Sequence, residues 1–244
     1  MQALVPERPE RPRFDGRALL EALAVALLVT VAVTLASSFL PDKYVASAVG
    51  FTFLGGAWWL VLSHDDAKVA HYGLAFGGLV LPGKLDLRRL LGEFARALAW
   101  ALAFAAITFV PFWFGWRWWW RAGEHFQLHL DSSFANEALG QLLIIALPEE
   151  AFYRGYLQTR LDDALPYRVR ILGAEVTPGL LVASVIFAVG HFATIRVAPR
   201  LAVFFPALVF GWLRARTGGV GASILFHAAC NMFSMILGRG YGVY

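Results

Sequence analysis

"ALGQLLIIALPEEAFYRGYLQTRL", residues 138–161, is the stretch on which the fold turns. It opens on a run without charge, Ala138 to Pro148, and then places Glu149, Glu150 and Arg154 close together. A helix of this length can cross a bilayer. Ionised side chains near its centre would then cost roughly 2.5–3.5 kcal/mol each, and such residues usually face a polar interior and have a task. In water the same stretch would be an unremarkable helix with a wet end. The rest of the chain decides between the two.

The chain has 244 residues, 59% hydrophobic and 16% charged, with a mean hydropathy of +0.60. Soluble domains carry about 25% charged and about 45–50% apolar residues. Ala22–Pro41, Tyr44–Ser63 and Ala97–Trp116 contain no charged residue, and Val176–Ile195 and Thr217–Gly238 contain only a histidine each. Leu201–Leu213 is shorter, but Arg200 and Arg214 at its ends can extend their heads outward along apolar stems. With 138–161 this predicts an all-α polytopic bundle of about seven membrane helices.

Residues 1–17 are polar and proline-rich and read as a cytoplasmic tail. The first apolar run is about twenty residues, too long for a signal-peptide core, so it reads as a retained helix. Residues 18–133 then form N-terminal membrane helices and loops, and residues 134–244 the helices that carry the chemistry. The net charge is +4, but the basic residues sit in short loops between apolar runs. That pattern signals topology and not nucleic-acid binding. Thirteen of the 21 Lys and Arg residues share a side with the N-terminus, Arg168, Arg170, Arg214 and Arg216 among them, and six fall on the other. The N-terminus is expected inside a bacterial cytoplasmic membrane. "PFWFGWRWWWR", residues 111–121, looks like an aromatic belt at the headgroup level. Residues 64–89 hold too many charges and glycines to span and read as a loop with a short hairpin or amphipathic piece.

Three polar clusters lie within apolar helices. Glu150 and Arg154 are four apart and share a face, so they can pair. Glu149 points about 100° away, free to face a cavity, where a carboxylate can serve as a general base. His191 lies on the face of Phe187, four residues on. Alone, such a histidine is more often a satisfied core residue. His227 and Asn231 also share a face; they can stabilise an oxyanion or join two helices by hydrogen bonds. The single cysteine, Cys230, excludes an intrachain disulfide and has no visible activating partner.

Together, E-E-x-x-x-R at Glu149, Glu150 and Arg154, F-x-x-x-H at Phe187 and His191, and H-x-x-x-N at His227 and Asn231 resemble the CAAX protease and bacteriocin-processing (CPBP) family, over roughly residues 134–240. The resemblance implies an intramembrane glutamic endopeptidase acting on a membrane-tethered protein or peptide. It would have Glu149 and His191 activate water and His227 and Asn231 form the oxyanion site. Glu150 and Arg154 would position Glu149 and the substrate, or hold the helix. Within the family the chain looks most like the myxosortase type, which removes C-terminal sorting signals. Prenyl-protein cleavage, bacteriocin processing and immunity are the other substrate roles. No metal or other cofactor is expected, because the zinc motif H-E-x-x-H is absent. A proton-coupled transporter would also place Glu, Arg and His in lipid, but paired repeats with matching broken helices are not evident.

Overall fold

A computed structural model describes residues 14–82, 85–128 and 130–243. Most of the expected cytoplasmic tail, residues 1–13, therefore lies outside the described residues. Helix α1 spans Gly16–Phe39 and starts where the Asp15 carboxylate accepts the N–H groups of Arg17 and Ala18. Helix α2 covers Asp42–Leu62 and ends in a π-wound turn at Trp58–Leu62. Among the described residues of 64–89, the short α3, Asp66–His71, and a 3₁₀ turn at Phe76–Gly78 precede α4. Helix α4 runs Leu87–Trp120, well beyond the twenty residues expected of it. Helix α5 is continuous over 134–164, α6 spans Pro178–Thr194, α7 spans Ala198–Thr217 and α8 spans Gly221–Gly240.

Five of these, α1, α2, α4, α7 and α8, are long and apolar enough to cross a membrane. The expectation of about seven goes beyond them. Helix α6 has only 17 residues, and α5 contains its own charges. The outward sides of α1, α2 and α4 expose rows of leucine, valine and phenylalanine such as Leu27, Val31, Phe51 and Leu102. Apolar surface of that extent is suited to lipid and not to water.

Helix α5 is the centre of the bundle. Helix α8 lies against its first half as well as against α4 and α7, α6 lies against its second half and against α1 and α7, and α2 packs along it from another side. Every residue from Ala151 to Gln158 is buried. The helix is not regularly wound. Gln141–Ala146 and Ala151–Gln158 are π-helical, with an ordinary α turn, Leu147–Glu150, between them. Pro148 explains part of this: it has no N–H to offer the Ile144 carbonyl one turn back. At that carbonyl α2 comes closest, through Gly50, where an added Cβ would lie 2.5 Å from the Ile144 oxygen.

Sequence reading missed a two-stranded hairpin between α5 and α6. Strand β1, Val169–Ile171, pairs antiparallel with β2, Ala174–Val176. Its turn places Leu172 and Gly173 at positive φ, the backbone of a type I′ turn without its usual Asn-Gly signature. Thr177 then caps α6: its hydroxyl accepts the Gly179 N–H and donates to the Asp162 carboxylate at the end of α5. The tryptophans of 111–121 divide. Trp118, Trp119 and Trp120 are exposed, as a headgroup belt would be. Trp113 donates to the Tyr241 hydroxyl at 2.8 Å and Trp116 packs on the same ring, so those two fasten α4 to the end of α8.

Candidate active site

The three polar clusters converge inside the bundle. Glu149 is 8% exposed, Glu150 0% and Arg154 1%, which disposes of the reading that they form a wet helix end. The helical offset between the adjacent glutamates sends them to different environments. Glu150 faces inward, 3.4 Å from Arg154 Nε through Oε2 and 2.9 Å from His227 Nδ1 through Oε1. Arg154 donates from Nη2 to the Ala207 carbonyl at 3.2 Å, and its guanidinium lies 4.4 Å from the centre of the Phe187 ring. One turn on, Gln158 donates to the Gly211 carbonyl at 3.0 Å. Two side chains of α5 thus strap two carbonyls of α7, with matching four-residue spacing.

Glu149 faces a cavity of about 800 Å³ between α1, α2, α5, α6, α7 and α8. The lining includes Glu149, Tyr153, Phe187, His191, His227, Cys230 and Asn231 but neither Glu150 nor Arg154. Those two therefore hold the helices that frame the site and do not face it. Glu149 Oε2 is buried and without a hydrogen-bond partner among the described residues. It lies 3.8 Å from His191 Nε2 and 4.0 Å from His227 Nε2, beyond direct hydrogen-bond reach.

The histidine tautomers follow from their partners. His191 Nδ1 lies 3.0 Å from the Phe187 carbonyl. A carbonyl only accepts, so Nδ1 carries the proton and, in the neutral ring, Nε2 presents a lone pair to the cavity. His227 is oriented likewise by the Glu150 carboxylate. Its ring also stacks on Phe210 at 4.8 Å and 14°. The Glu149 carboxylate and the lone pair of the neutral His191 ring are thus two acceptors turned to the same space.

Asn231 lies on the same lining, and its Nδ2 donates to Gln141 Oε1 at 2.9 Å, which leaves one N–H free for another acceptor. Gln141 was missed by sequence reading, although it is the sole polar side chain between Ala138 and Pro148. Tyr153 was also missed. It packs edge-on against Phe187 and sits over Gly190, where an added Cβ would be 3.0 Å from its hydroxyl. Among the described residues no group of three or more His, Cys, Asp or Glu is arranged to hold a metal ion.

Residues 131–233 match the sequence model of the Rce1-like family, described as type II CAAX prenyl endopeptidase Rce1-like. This part of the chain, from the loop before α5 to the middle of α8, is therefore an Rce1-like segment of the CPBP family, a family of peptide hydrolases. It contains every residue of the three motifs. No curated protein and no solved structure matches the chain.

Proposed function

We propose that the chain is a glutamic-type intramembrane endopeptidase that cuts a membrane-tethered protein near its C-terminus. The observation that carries this reading is the buried, unpartnered Oε2 of Glu149, facing the lone-pair position of His191 and, beside it, Nε2 of His227 across the cavity. What such a point accepts is a donor with two protons. A water about 2.8 Å from both Glu149 Oε2 and His191 Nε2 would subtend an angle of about 85°, a workable arrangement for a molecule that donates to both.

In the proposed reaction Glu149 takes a proton from that water while the oxygen attacks the scissile carbonyl carbon. The oxyanion that forms is met by the free N–H of Asn231 and by Nε2–H of His227 in its protonated form. Glu150 supports that form, since Nδ1–H stays bonded to its carboxylate. The proton held by Glu149 then passes to the leaving nitrogen as the C–N bond breaks, giving a carboxylic acid and an amine. His191 orients the water.

The family description favours a lipid-modified C-terminal tail as substrate over a sorting signal of the myxosortase type, although either would present a short peptide from the membrane. The test is cleavage of a farnesylated reporter in proteoliposomes. Glu149→Gln should lower the rate by about a thousandfold or more, while the protein still purifies as a folded species. A variant that keeps full activity would overturn the reading.

A further inference from the structure

The cavity carries a cation that the proposed reaction does not use. Arg200 lies in the 3₁₀ turn Ala198–Val203 that begins α7 and lines the same cavity as Glu149 and His191. The turn is held by its own backbone: the Arg200 N–H donates to the Val197 carbonyl at 3.0 Å. The guanidinium, half-buried, has no ion pair and no hydrogen bond among the described residues. The other half-buried arginines are all engaged. Arg117 donates to the Gly123 carbonyl, Arg160 to Glu21, Arg214 to the His71 carbonyl and Arg239 to Glu137. Asp42, the other charge at the rim, is in the first turn of α2 and forms no ion pair with Arg200. A planar fork of donors is thus aimed at a cleft and left open, which is how carboxylates are gripped in two-point contact.

We propose that Arg200 binds the free C-terminal carboxylate of the substrate, so that the scissile bond is found by its distance from that end. The inference deepens the endopeptidase reading and rests on it for the identity of the ligand. The walls of the same cavity include Val45, Val49, Phe53 and Val203, which suit apolar side chains. The one charge that every such tail carries, whatever its sequence, is its terminal carboxylate. Removal of the tail would then be a counting reaction, with specificity for length over sequence.

The test uses the full chain in nanodiscs, with Glu149→Gln to separate binding from cleavage. Two fluorescent farnesylated peptides are compared, identical but for a free carboxylate or an amide at the C-terminus. The free acid should bind about tenfold or more tightly, the effect of a charge-assisted hydrogen-bonded pair. Adding Arg200→Gln should erase that preference, and Arg200→Lys should keep part of it. Equal affinity for the two peptides, no binding of either, or a preference that survives Arg200→Gln would each overturn the assignment. Cleavage by the wild-type chain is scored separately. If binding discriminates as expected but neither peptide is cut, the endopeptidase reading falls and the carboxylate site stands.

Discussion

Glu149 and Glu150 differ by one position and by everything else. The first is an unpartnered acid at the wall of a cavity, and the second is the shared anion of Arg154 and His227. Removing one partner of a buried ion pair leaves the other charge uncompensated, at a cost of about 3–5 kcal/mol. Glu150→Gln should therefore lower thermal stability sharply in nanodiscs. Glu150→Gln with Arg154→Met should recover most of that stability, since the stranded charge is gone. Cleavage should not recover, because His227 no longer has a carboxylate on Nδ1. A double variant with wild-type turnover would show that Glu150 serves the fold alone. Cys230 also lines the cavity, so Cys230→Ala is the control for thiol chemistry: its cleavage rate should stay within about twofold of wild type.

At the level of elements, the irregular winding of α5 is matched by glycines on its neighbours. An added Cβ at Gly50 would sit 2.5 Å from the Ile144 carbonyl oxygen, whereas at Gly55, also on α2, it would meet nothing within 4 Å. Gly50→Ala should cost about 1–3 kcal/mol through displacement of α2, and Gly55→Ala should be neutral or slightly stabilising. Equal melting temperatures for the two variants would mean that α2 does not approach α5 this closely.

The joint between α5 and α6 adds a pH dependence. Beyond the expected span of α5, burial pushes the Asp162 carboxyl from 3.8 up to about 6, and its Thr177 hydrogen bond and the charge of Arg214 offset that only in part. Between about pH 4 and pH 6 the folded chain holds the proton that the unfolded chain has lost. Stability should then fall as pH rises through this window and level off above it. Asp162→Asn should flatten that slope in melting curves; a slope unchanged by the substitution would exclude Asp162 as its source.

These elements mark the boundary of what the sequence made legible. Spacing in register with an ordinary helix could be read. Glu150 with Arg154, and the separate heading of Glu149, follow from 3.6 residues per turn, and the motif pairs placed His191, His227 and Asn231 on definite faces. What could not be read depends on contacts between helices. The bond from His227 to Glu150 spans 77 positions, and Gln141 meets Asn231 across 90. Neither distance has a periodicity that would reveal it. The π-wound segments shift side chains off the 3.6 rule, so Gln141 could not be assigned to the Glu149 face by counting. The 169–176 hairpin lacked turn chemistry strong enough to announce it.

For the molecule as a whole, the orientation of the bundle in the membrane decides from which side a substrate reaches the site. Asp42 and Arg200 at the rim place the mouth of the cavity at the end of the bundle where α1 joins α2 and α6 joins α7. The hairpin, with Arg168 and Arg170 beside it, belongs to the opposite end, where α5 joins α6. The bias of Lys and Arg would put that end in the cytoplasm. The cavity would then open to the far side of the membrane, and a substrate tail would have to reach it from there. The chain's one cysteine makes this measurable. With Cys230→Ala as background, Leu172→Cys at the hairpin tip and Phe39→Cys at the end of α1 are both well exposed, at 83% and 80% in the native residues. In intact cells a membrane-impermeant maleimide should label Phe39→Cys, and Leu172→Cys only after lysis. The reverse pattern would invert the bundle and turn the cavity to the cytoplasm. It would restrict the substrates to proteins whose C-termini never leave that compartment, without altering the geometry around Glu149.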